Sequence, residues 1–70
     1  MAYEYGCIVG MGEYEPCDTV DTFNEAVLQC ELLQRDWDNT GIGDWWFNGS
    51  EWIGESNHPD EPWYIREIRE

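Results

Sequence analysis

Residues 36–47 place acidic side chains at the spacing of a calcium-binding loop. Five of the twelve loop positions of an EF-hand are matched, by Asp36, Asp38, Thr40, Gly41 and Asp44. The last position requires a glutamate that binds calcium through both oxygens, and here it is Phe47. Asn48-Gly49, a turn signal, also stands where the second helix of an EF-hand would begin. We therefore predict a helix end and a turn here, without calcium.

Three cysteines and the single histidine form a second set of potential metal ligands. Their number fits a Cys₃His zinc site, but no two cysteines have the short C-x₂₋₄-C spacing that structural zinc sites usually contain. An odd number of widely spaced cysteines also cannot form a complete disulfide framework. We predict small, buried or half-buried thiols in a reducing cytosol and no metal or other cofactor. The residues concerned are Cys7, Cys17, Cys30 and His58.

For catalysis the sequence offers no convincing set of residues. His58 lies beside Pro59 in a segment predicted to be a loop, and no nucleophile partner can be identified for it. Carboxylate pairs occur throughout the chain, so no single pair indicates an acid–base site. A chain of 70 residues also has little length from which to build a pocket. We predict a protein that is not an enzyme.

Charge is the strongest compositional signal. Sixteen Asp and Glu residues stand against three Arg and no Lys, which gives a formal net charge of −13. The acids extend from Glu4 to Glu70 without a long gap. Solubility requires net charge, but it does not require the removal of one sign. This composition argues against direct binding of nucleic acid and favours binding to a protein that itself binds nucleic acid.

The expected size of the molecule makes this charge density explicit. A compact domain of this length should have a radius of gyration of about 11 Å and a width of roughly 25–30 Å. Duplex DNA carries one charge per roughly 1.7 Å, so 13 charges correspond to about 22 Å of duplex. The chain is therefore expected to match the charge density of DNA over its own width.

The elements that position these acids begin with a strand and a loop. The sequence YEYGCIVGM (Tyr3–Met11) is rich in aromatic and β-branched residues and predicts a strand. Gly10 and Gly12 are predicted to end it. The following EYEPCDTVD (residues 13–21) predicts an acidic loop, interrupted by Pro16.

A helix is predicted from Thr22 to about Trp37. Thr22 and Glu25 fit a capping box, in which a hydroxyl and a carboxylate bond to free backbone amides. Apolar residues then recur at the spacing of one buried helix face. They are Phe23, Ala26, Val27, Cys30, Leu33 and Trp37. Gly41 is predicted to end the helix in a left-handed conformation.

A hairpin is predicted for DWWF-NG-SEWI, where Asn48-Gly49 is the preferred two-residue type I′ turn. This turn predicts four opposed pairs: Phe47 with Ser50, Trp46 with Glu51, Trp45 with Trp52, and Asp44 with Ile53. Trp45, Phe47 and Trp52 then share the core face of the strands. Trp46 shares the outer face with Asp44, Glu51 and Ile53. Alternation along a strand thus separates aromatic residues from carboxylates.

Residues 56–62 predict a loop, and WYIREIRE at the end of the chain predicts a final strand, with a terminal helical turn as the alternative. We therefore expect one α+β domain over residues 1–70, with a three- or four-stranded antiparallel sheet and one main helix packed on one face. The start of the chain lacks the features of a signal peptide, and no apolar run approaches membrane-spanning length.

The predicted partner-binding surface combines clustered carboxylates with one exposed tryptophan. It consists of Glu13, Glu15, Asp18, Asp21, Glu25, Glu31, Asp36, Asp38, Asp44, Trp46, Glu51 and Glu55. Because acidic residues are so frequent, the sequence does not distinguish which cluster makes the contact.

A Lys-free acidic domain with an aromatic sheet, one capped helix and no catalytic set resembles the DNA-mimic inhibitors of bacteriophages. Among these it is most similar to the small anti-CRISPR proteins that act on type I surveillance complexes. The resemblance covers the whole chain and is carried by size, charge and layout, with no motif that transfers individual residues.

The resemblance implies that carboxylates imitate phosphates and occupy a Lys/Arg-lined DNA channel of a host complex. The chain is then expected to act as a monomer in the bacterial cytoplasm, without direct contact to nucleic acid or membrane. The alternative is a small acidic protein-interaction module, charged for solubility, whose target does not bind nucleic acid.

Overall fold

The structure, a computed structural model, describes residues 2–38, 41–56 and 62–68. The elements follow the order β1 (Ala2–Val9), β2 (Glu13–Val20), α1 (Phe23–Asp38), β3 (Ile42–Phe47), β4 (Trp52–Ser56) and β5 (Trp63–Ile68). The strands form one antiparallel sheet in the order β2-β1-β5-β4-β3, and α1 packs on one face of it. The predicted α+β architecture is confirmed, with five strands in place of three or four. Trp63–Ile68 is a strand, as predicted for the final segment, and residues 57–61 of the predicted loop around His58 lie outside the described residues.

The additional strand is β2, which the sequence analysis predicted to be an acidic loop. It pairs with β1 along its whole length and forms one edge of the sheet. Pro16 is compatible with an edge strand, where its missing N–H need not join a ladder. The register shifts between Tyr5 and Gly6, and a Cβ on Gly6 would overlap the carbonyl oxygen of Glu15. The loop prediction was wrong because pairing with β1, which is not encoded locally, outweighs the proline and the charges.

The turn between β1 and β2 contains the two glycines that were expected to end the first strand. Gly10 and Gly12 have φ angles of 57° and 98°, in the region that favours glycine. The N–H of Gly12 donates to the carbonyl of Val9 at 3.2 Å. The prediction is therefore confirmed, and the chain reverses tightly at this point.

The helix begins directly after Thr22, as predicted. The Thr22 hydroxyl oxygen accepts a hydrogen bond from the Glu25 N–H at 3.2 Å, which satisfies one free amide of the first turn. The helix continues to Asp38, one residue beyond the predicted end. Residues 39 and 40, between this end and Gly41, lie outside the described residues, so the left-handed conformation of Gly41 stays a prediction.

The core lies between α1 and the sheet. Its buried members are Tyr5, Ala26, Cys30, Ile42, Trp63 and Ile65. Two positions on the helix differ from prediction, because Leu33 is 38% exposed and Gln34 is fully buried. The side-chain oxygen of Gln34 accepts a hydrogen bond from the Trp63 indole N–H at 2.7 Å. A buried amide is thereby satisfied, which a search for apolar periodicity cannot detect. The Trp37 side chain lies outside the described set.

Strands β3 and β4 form the predicted hairpin, but its turn is displaced. Phe47 lies opposite Trp52, and Trp45 lies opposite Gly54, two residues from the predicted register. The displacement arises at Asn48, whose side-chain oxygen accepts hydrogen bonds from the N–H groups of Ser50 and Glu51 at 2.9 and 2.8 Å. The Asn48 N–H donates to the Glu51 carbonyl at 3.0 Å. This side-chain acceptor places Gly49-Ser50 at the tip of the hairpin in place of Asn48-Gly49.

The pairing is displaced by two residues, and side chains alternate between faces with a period of two. The residues predicted to share a face of the hairpin therefore still share it. Trp45 and Trp52 pack against the core, as expected. Phe47 is 53% exposed, however, and Ile53 on the opposite face is only 7% exposed. The assignment of Phe47 to the core is therefore wrong, whereas Ile53 lies on the predicted face beside Trp46 and is nevertheless buried there. Phe47 ends an edge strand and has a neighbouring strand on one side only, whereas Ile53 lies between β3 and β5.

Candidate partner-binding surface

The carboxylates described by the structure all lie at the surface. Each is exposed or half-buried, and the only buried polar side chain among the described residues is that of Gln34. The acids therefore take no part in the core, which consists of aromatic, aliphatic and thiol side chains. The described carboxylates are consequently open to a partner or to solvent, although Glu4 and Glu51 also accept hydrogen bonds from tyrosines.

The first predicted cluster lies along the edge strand β2. Glu13, Glu15 and Asp18 are exposed there, opposite Val9, Cys7 and Tyr5 of β1. Alternate residues of a strand share a face and lie about 6.6–6.8 Å apart. In a regular strand, Asp18 would lie on the opposite face from Glu13 and Glu15. The bulge inserts one extra residue before Asp18, so all three carboxylates lie on the same face.

The three carboxylates of β2 thus point to one side of the strand, the side on which α1 packs. Asp21 follows in the exposed turn before the helix. This alignment depends on a bulge within a segment that was predicted to be a loop, so the sequence alone did not indicate it.

The other predicted acids are distributed over the helix and the hairpin. Glu25 and Asp36 are exposed near the two ends of α1, and Glu31 is half-buried between them; the Asp38 side chain lies outside the described set. Asp44 and Glu55 are exposed on β3 and β4. Strands β2 and β3 are opposite edges of the sheet, separated by four strand spacings or about 19 Å. The structure therefore does not bring the predicted acids into one patch.

Glu51 belongs to a network on the sheet face opposite α1, which the sequence analysis missed. Its carboxylate accepts a hydrogen bond from the Tyr14 hydroxyl at 2.9 Å. The Tyr14 ring packs on Tyr64, with 4.8 Å between centroids. The Arg66 guanidinium lies 5.3 Å from the Tyr14 ring centroid and 5.4 Å from that of Tyr64. The shared face of Tyr64 and Arg66 could be predicted, because they are two residues apart on a strand. Tyr14 was assigned to a loop, so its place in this cluster could not be predicted from the sequence.

The network ends at Glu4 on β1. Its carboxylate accepts a hydrogen bond from the Tyr64 hydroxyl at 2.8 Å and lies 3.6 Å from the Arg66 guanidinium. Burial, followed by the hydrogen bond to Glu4, raises the pKa of Tyr64 above its ordinary value. Burial and the bond to Glu51 raise the pKa of Tyr14 in the same way. Both phenols therefore remain neutral hydrogen-bond donors at physiological pH.

Positive charge is sparse on the described surface. Arg66 is engaged with a carboxylate and two aromatic rings, and Arg35 is exposed in the last turn of α1. The molecule measures 34 × 24 × 19 Å, with a radius of gyration of 11.1 Å. Thirteen net charges over 34 Å give about one per 2.6 Å, and over 24 Å about one per 1.8 Å. The duplex value of roughly 1.7 Å is thus approached along the middle axis and not along the longest.

Two aromatic side chains are exposed on β3. Trp46 is 48% exposed, as expected for the outer face, and Phe47 is 53% exposed. Phe47 nevertheless stacks on Trp52, with 4.7 Å between ring centroids. The end of β3 therefore presents large apolar area at a free edge of the sheet.

Among the described residues no group of three or more His, Cys, Asp and Glu side chains could hold a metal ion. Cys7 is half-buried and Cys30 is buried, as predicted, whereas Cys17 is exposed on the edge strand β2, so its predicted burial is wrong. Within the same residues no helix has the length and apolarity needed to cross a membrane. Comparisons with protein-family models, curated proteins and solved structures give no match to this chain.

Proposed function

We propose that this chain is a non-enzymatic inhibitor that imitates the charge of DNA. It occupies the DNA-binding surface of a basic nucleic-acid-binding protein complex of a bacterial host and blocks DNA binding. The favoured target is a type I CRISPR surveillance complex. The observation that carries the proposal is the surface placement of the carboxylates, together with the internal engagement of Arg66.

Electrostatics supports this mechanism in two ways. A cationic channel concentrates the field of its charges, so it attracts an acidic partner rapidly and disfavours basic ones. Arginine in such a channel binds carboxylates through two parallel hydrogen bonds, much as it binds phosphates. Carboxylates at exposed positions on both sheet edges can therefore substitute for backbone phosphates.

The rigidity of the scaffold also supports the proposal. Glu13, Glu15 and Asp18 belong to a strand paired along its whole length with β1, and Tyr14 of the same strand bonds to Glu51 beyond two further strands. Charges that are already positioned lose less conformational freedom on binding than those of an acidic tail. The aromatic core thus contributes to inhibition by holding the acids in place.

The test is competition with duplex DNA for a purified type I surveillance complex at two salt concentrations. The first variant neutralises the β2 cluster through Glu13→Gln, Glu15→Gln, Asp18→Asn and Asp21→Asn. The matched control removes the same number of charges elsewhere through Glu25→Gln, Asp36→Asn, Asp44→Asn and Glu55→Gln. These substitutions avoid Glu4 and Glu51, whose carboxylates accept tyrosine hydrogen bonds.

We expect wild-type inhibition to weaken steeply with salt. One of the two fourfold variants should lose inhibition and the other should retain most of it, with both still folded. Each single neutralisation should weaken inhibition less than about fivefold, as for exposed ion pairs. If both fourfold variants inhibit as well as wild type, the acidic surface serves solubility and the proposal is wrong.

The exposed aromatics of β3 favour a second candidate function. Trp46 and Phe47 are the kinds of side chain that anchor protein interfaces. In this alternative the chain is an acidic interaction module whose target does not bind nucleic acid. Trp46→Ala would then abolish partner binding, whereas neutralising either acidic cluster would leave it nearly unchanged and insensitive to salt.

A further inference from the structure

Strand β3 has a free backbone edge. It is the last strand of the sheet, and in the described part of the chain it pairs only with β4. An edge strand presents unpaired N–H and C=O groups that can pair with another chain.

The hairpin hydrogen bonds identify the outward-pointing groups. Asn48 donates its N–H to the Glu51 carbonyl, so these two residues form a hydrogen-bonded pair. Hydrogen-bonded and non-hydrogen-bonded pairs alternate along an antiparallel ladder. Phe47 and Trp52 therefore form a non-hydrogen-bonded pair, as do Trp45 and Gly54. The backbone N–H and C=O groups of Trp45 and Phe47 consequently point away from β4, to the free edge.

The two edges of the sheet differ in their protection against pairing. Strand β2 carries Pro16, a bulge and a row of carboxylates, all of which oppose strand addition. Strand β3 has a register irregularity between Ile42 and Trp45, but beyond it the strand is regular up to the turn. Its outer half, residues 45–47, has two outward-pointing N–H groups and the exposed side chains of Trp46 and Phe47 beside them. Strand β3 is therefore the edge suited to accept a further strand.

Charge determines the kind of strand that fits. Residues 41–56 contain no Lys, Arg or His. Of their three carboxylates, Glu51 is turned toward Tyr14 and away from this edge, whereas Asp44 on β3 and Glu55 on β4 are exposed. Side chains on an added strand would lie beside Trp46 on one face and Phe47 on the other, at cross-strand spacing. A second copy of this chain would bring further carboxylates to the β3 edge, where they would be repelled. An arginine side chain would contact aromatic rings and carboxylates there, and both attract it.

The protein itself shows that this combination accommodates arginine. On the central strand β5, Arg66 lies over the rings of Tyr14 and Tyr64 and next to the Glu4 carboxylate. A guanidinium over an aromatic face is attracted by the ring, and a nearby carboxylate adds charge pairing. The outer half of β3 offers the same two kinds of group to an external chain.

We propose that the free edge of β3 receives an extended, arginine-containing segment of the partner protein as a sixth strand. Main-chain hydrogen bonds to Trp45 and Phe47 hold the segment, and its arginines are selected by Trp46, Phe47 and the exposed carboxylate of Asp44 on the same strand. The proposal rests on the proposed function, because the segment belongs to the same basic target. Strand addition supplies directional main-chain hydrogen bonds, which charge attraction between the acidic surface and the basic target does not.

The first test is independent of the target. The full-length ¹⁵N-labelled protein is titrated with a synthetic peptide in which arginine alternates with threonine, and with a control peptide carrying glutamate in place of arginine. The basic peptide should slow hydrogen exchange at the Trp45 and Phe47 amides by about tenfold or more. The Trp46 amide, which faces β4, should change little, and the acidic peptide should have no effect.

Uniform chemical-shift changes over all acidic surfaces, changes confined to β2, or no binding would overturn the proposal. Analytical ultracentrifugation of the free protein is run alongside. A dimer that Phe47→Pro abolishes would mean that a second copy of the chain, and not a basic partner, occupies this edge.

The second test uses inhibition of the surveillance complex by Phe47→Ala and Phe47→Pro. Both variants lose the aromatic ring, but only proline also removes the outward N–H. Proline is tolerated where an edge N–H faces solvent, so the hairpin should persist, and this is checked by thermal unfolding. We expect Phe47→Pro to inhibit about tenfold more weakly than Phe47→Ala. Should Phe47→Pro not fold, a chemically synthesised chain with an N-methylated Phe47 amide replaces it.

The outcomes separate the two proposals. If Phe47→Pro and Phe47→Ala inhibit equally while a fourfold acid variant does not, strand addition is wrong and DNA mimicry stands. If the wild-type protein does not inhibit the complex, the proposed function is wrong for this target. The peptide titration then decides strand addition by itself.

Discussion

Gly54 allows the Trp45 ring to lie directly on strand β4. A Cβ on Gly54 would come within 2.7–2.8 Å of three atoms of that ring. The indole nitrogen of Trp45 is buried and has no hydrogen-bond partner among the described residues. Packing, and not a polar contact, therefore holds this ring against the core.

Gly54→Ala should destabilise the protein by about 1–3 kcal/mol, because the added methyl group forces the Trp45 ring to move. The control is Gly43→Ala, since Gly43 is exposed and does not have a positive φ, and an added methyl group there would meet only the Glu55 carbonyl oxygen at 3.5 Å, an ordinary contact. Denaturant unfolding measures both. Equal losses for the two variants would show that steric overlap with Trp45 is not the cause.

The thiols differ in their surroundings and should differ in reactivity. Burial raises the pKa of Cys30 to about 12. Cys17 is exposed, although partial burial and the neighbouring Glu15 and Asp18 also raise its pKa. At about pH 8 a thiol reagent should modify Cys17 slowly and Cys30 only when the protein unfolds, because the thiolate is the reactive form. Mass spectrometry with Cys17→Ser as control measures this, and rapid labelling of Cys30 in the native protein would contradict it.

At the scale of elements, Tyr14 connects the edge strand β2 with the far half of the sheet. Its ring packs on Tyr64 of β5, and its hydroxyl reaches Glu51 at the start of β4. Backbone pairing joins β2 only to β1. The side chain of Tyr14 thus adds a second attachment for the strand that carries the first acidic cluster.

A double-mutant cycle with Tyr14→Phe and Glu51→Ala measures this attachment. The hydroxyl donates to a half-buried carboxylate, so we expect a coupling energy of about 1 kcal/mol in unfolding. Tyr14→Phe retains the ring on Tyr64, which makes it the conservative member of the pair. If the losses in unfolding free energy of the two single variants sum to that of the double variant within about 0.3–0.5 kcal/mol, the hydrogen bond does not couple the two elements.

At the scale of the whole molecule, like charges repel one another across a small surface. With a net charge of −13, salt should stabilise the folded chain by screening this repulsion. Between low salt and about 0.5 M NaCl we expect Tm to rise by roughly 4–8 °C, equivalent to about 1 kcal/mol. The fourfold charge-neutralised variants should respond less. A Tm that is flat or falls with added NaCl in the wild-type protein is the contrary result.

Alkaline pH should destabilise the molecule through one thiol and two phenols whose pKa values are raised in the folded protein. Burial raises the pKa of Cys30 to about 12 from an ordinary value of 9.0, and raises those of Tyr14 and Tyr64 above 10.0. The unfolded chain therefore loses these protons first, so stability is complete below about pH 9 and is lost as pH rises through the folded values. Denaturant midpoints between about pH 8 and pH 11 measure the slope. Tyr64→Phe should make it shallower, and an unchanged slope would exclude Tyr64 as a cause.

Much of the local structure was predictable from the sequence. The strand ended by Gly10 and Gly12, the helix after Thr22 and the hairpin of residues 44–53 all depend on residues close together in the chain. Their signals are turn chemistry, capping and hydrophobic period, which act over a few residues. The surface location of the acids also followed from sequence, because unpaired carboxylates are costly to bury.

The charge, the helix and the existence of the hairpin follow from composition and local patterns. Which segments pair and which faces are covered depends on contacts between distant parts of the chain. Pairing with β1 made a strand of residues 13–20, and its bulge aligned Glu13, Glu15 and Asp18. Packing against Trp63 buried Gln34, and Tyr14 met Tyr64 across β1. These features join residues far apart in the chain, so their free energy exists only once the sheet has formed, and no local pattern encodes it.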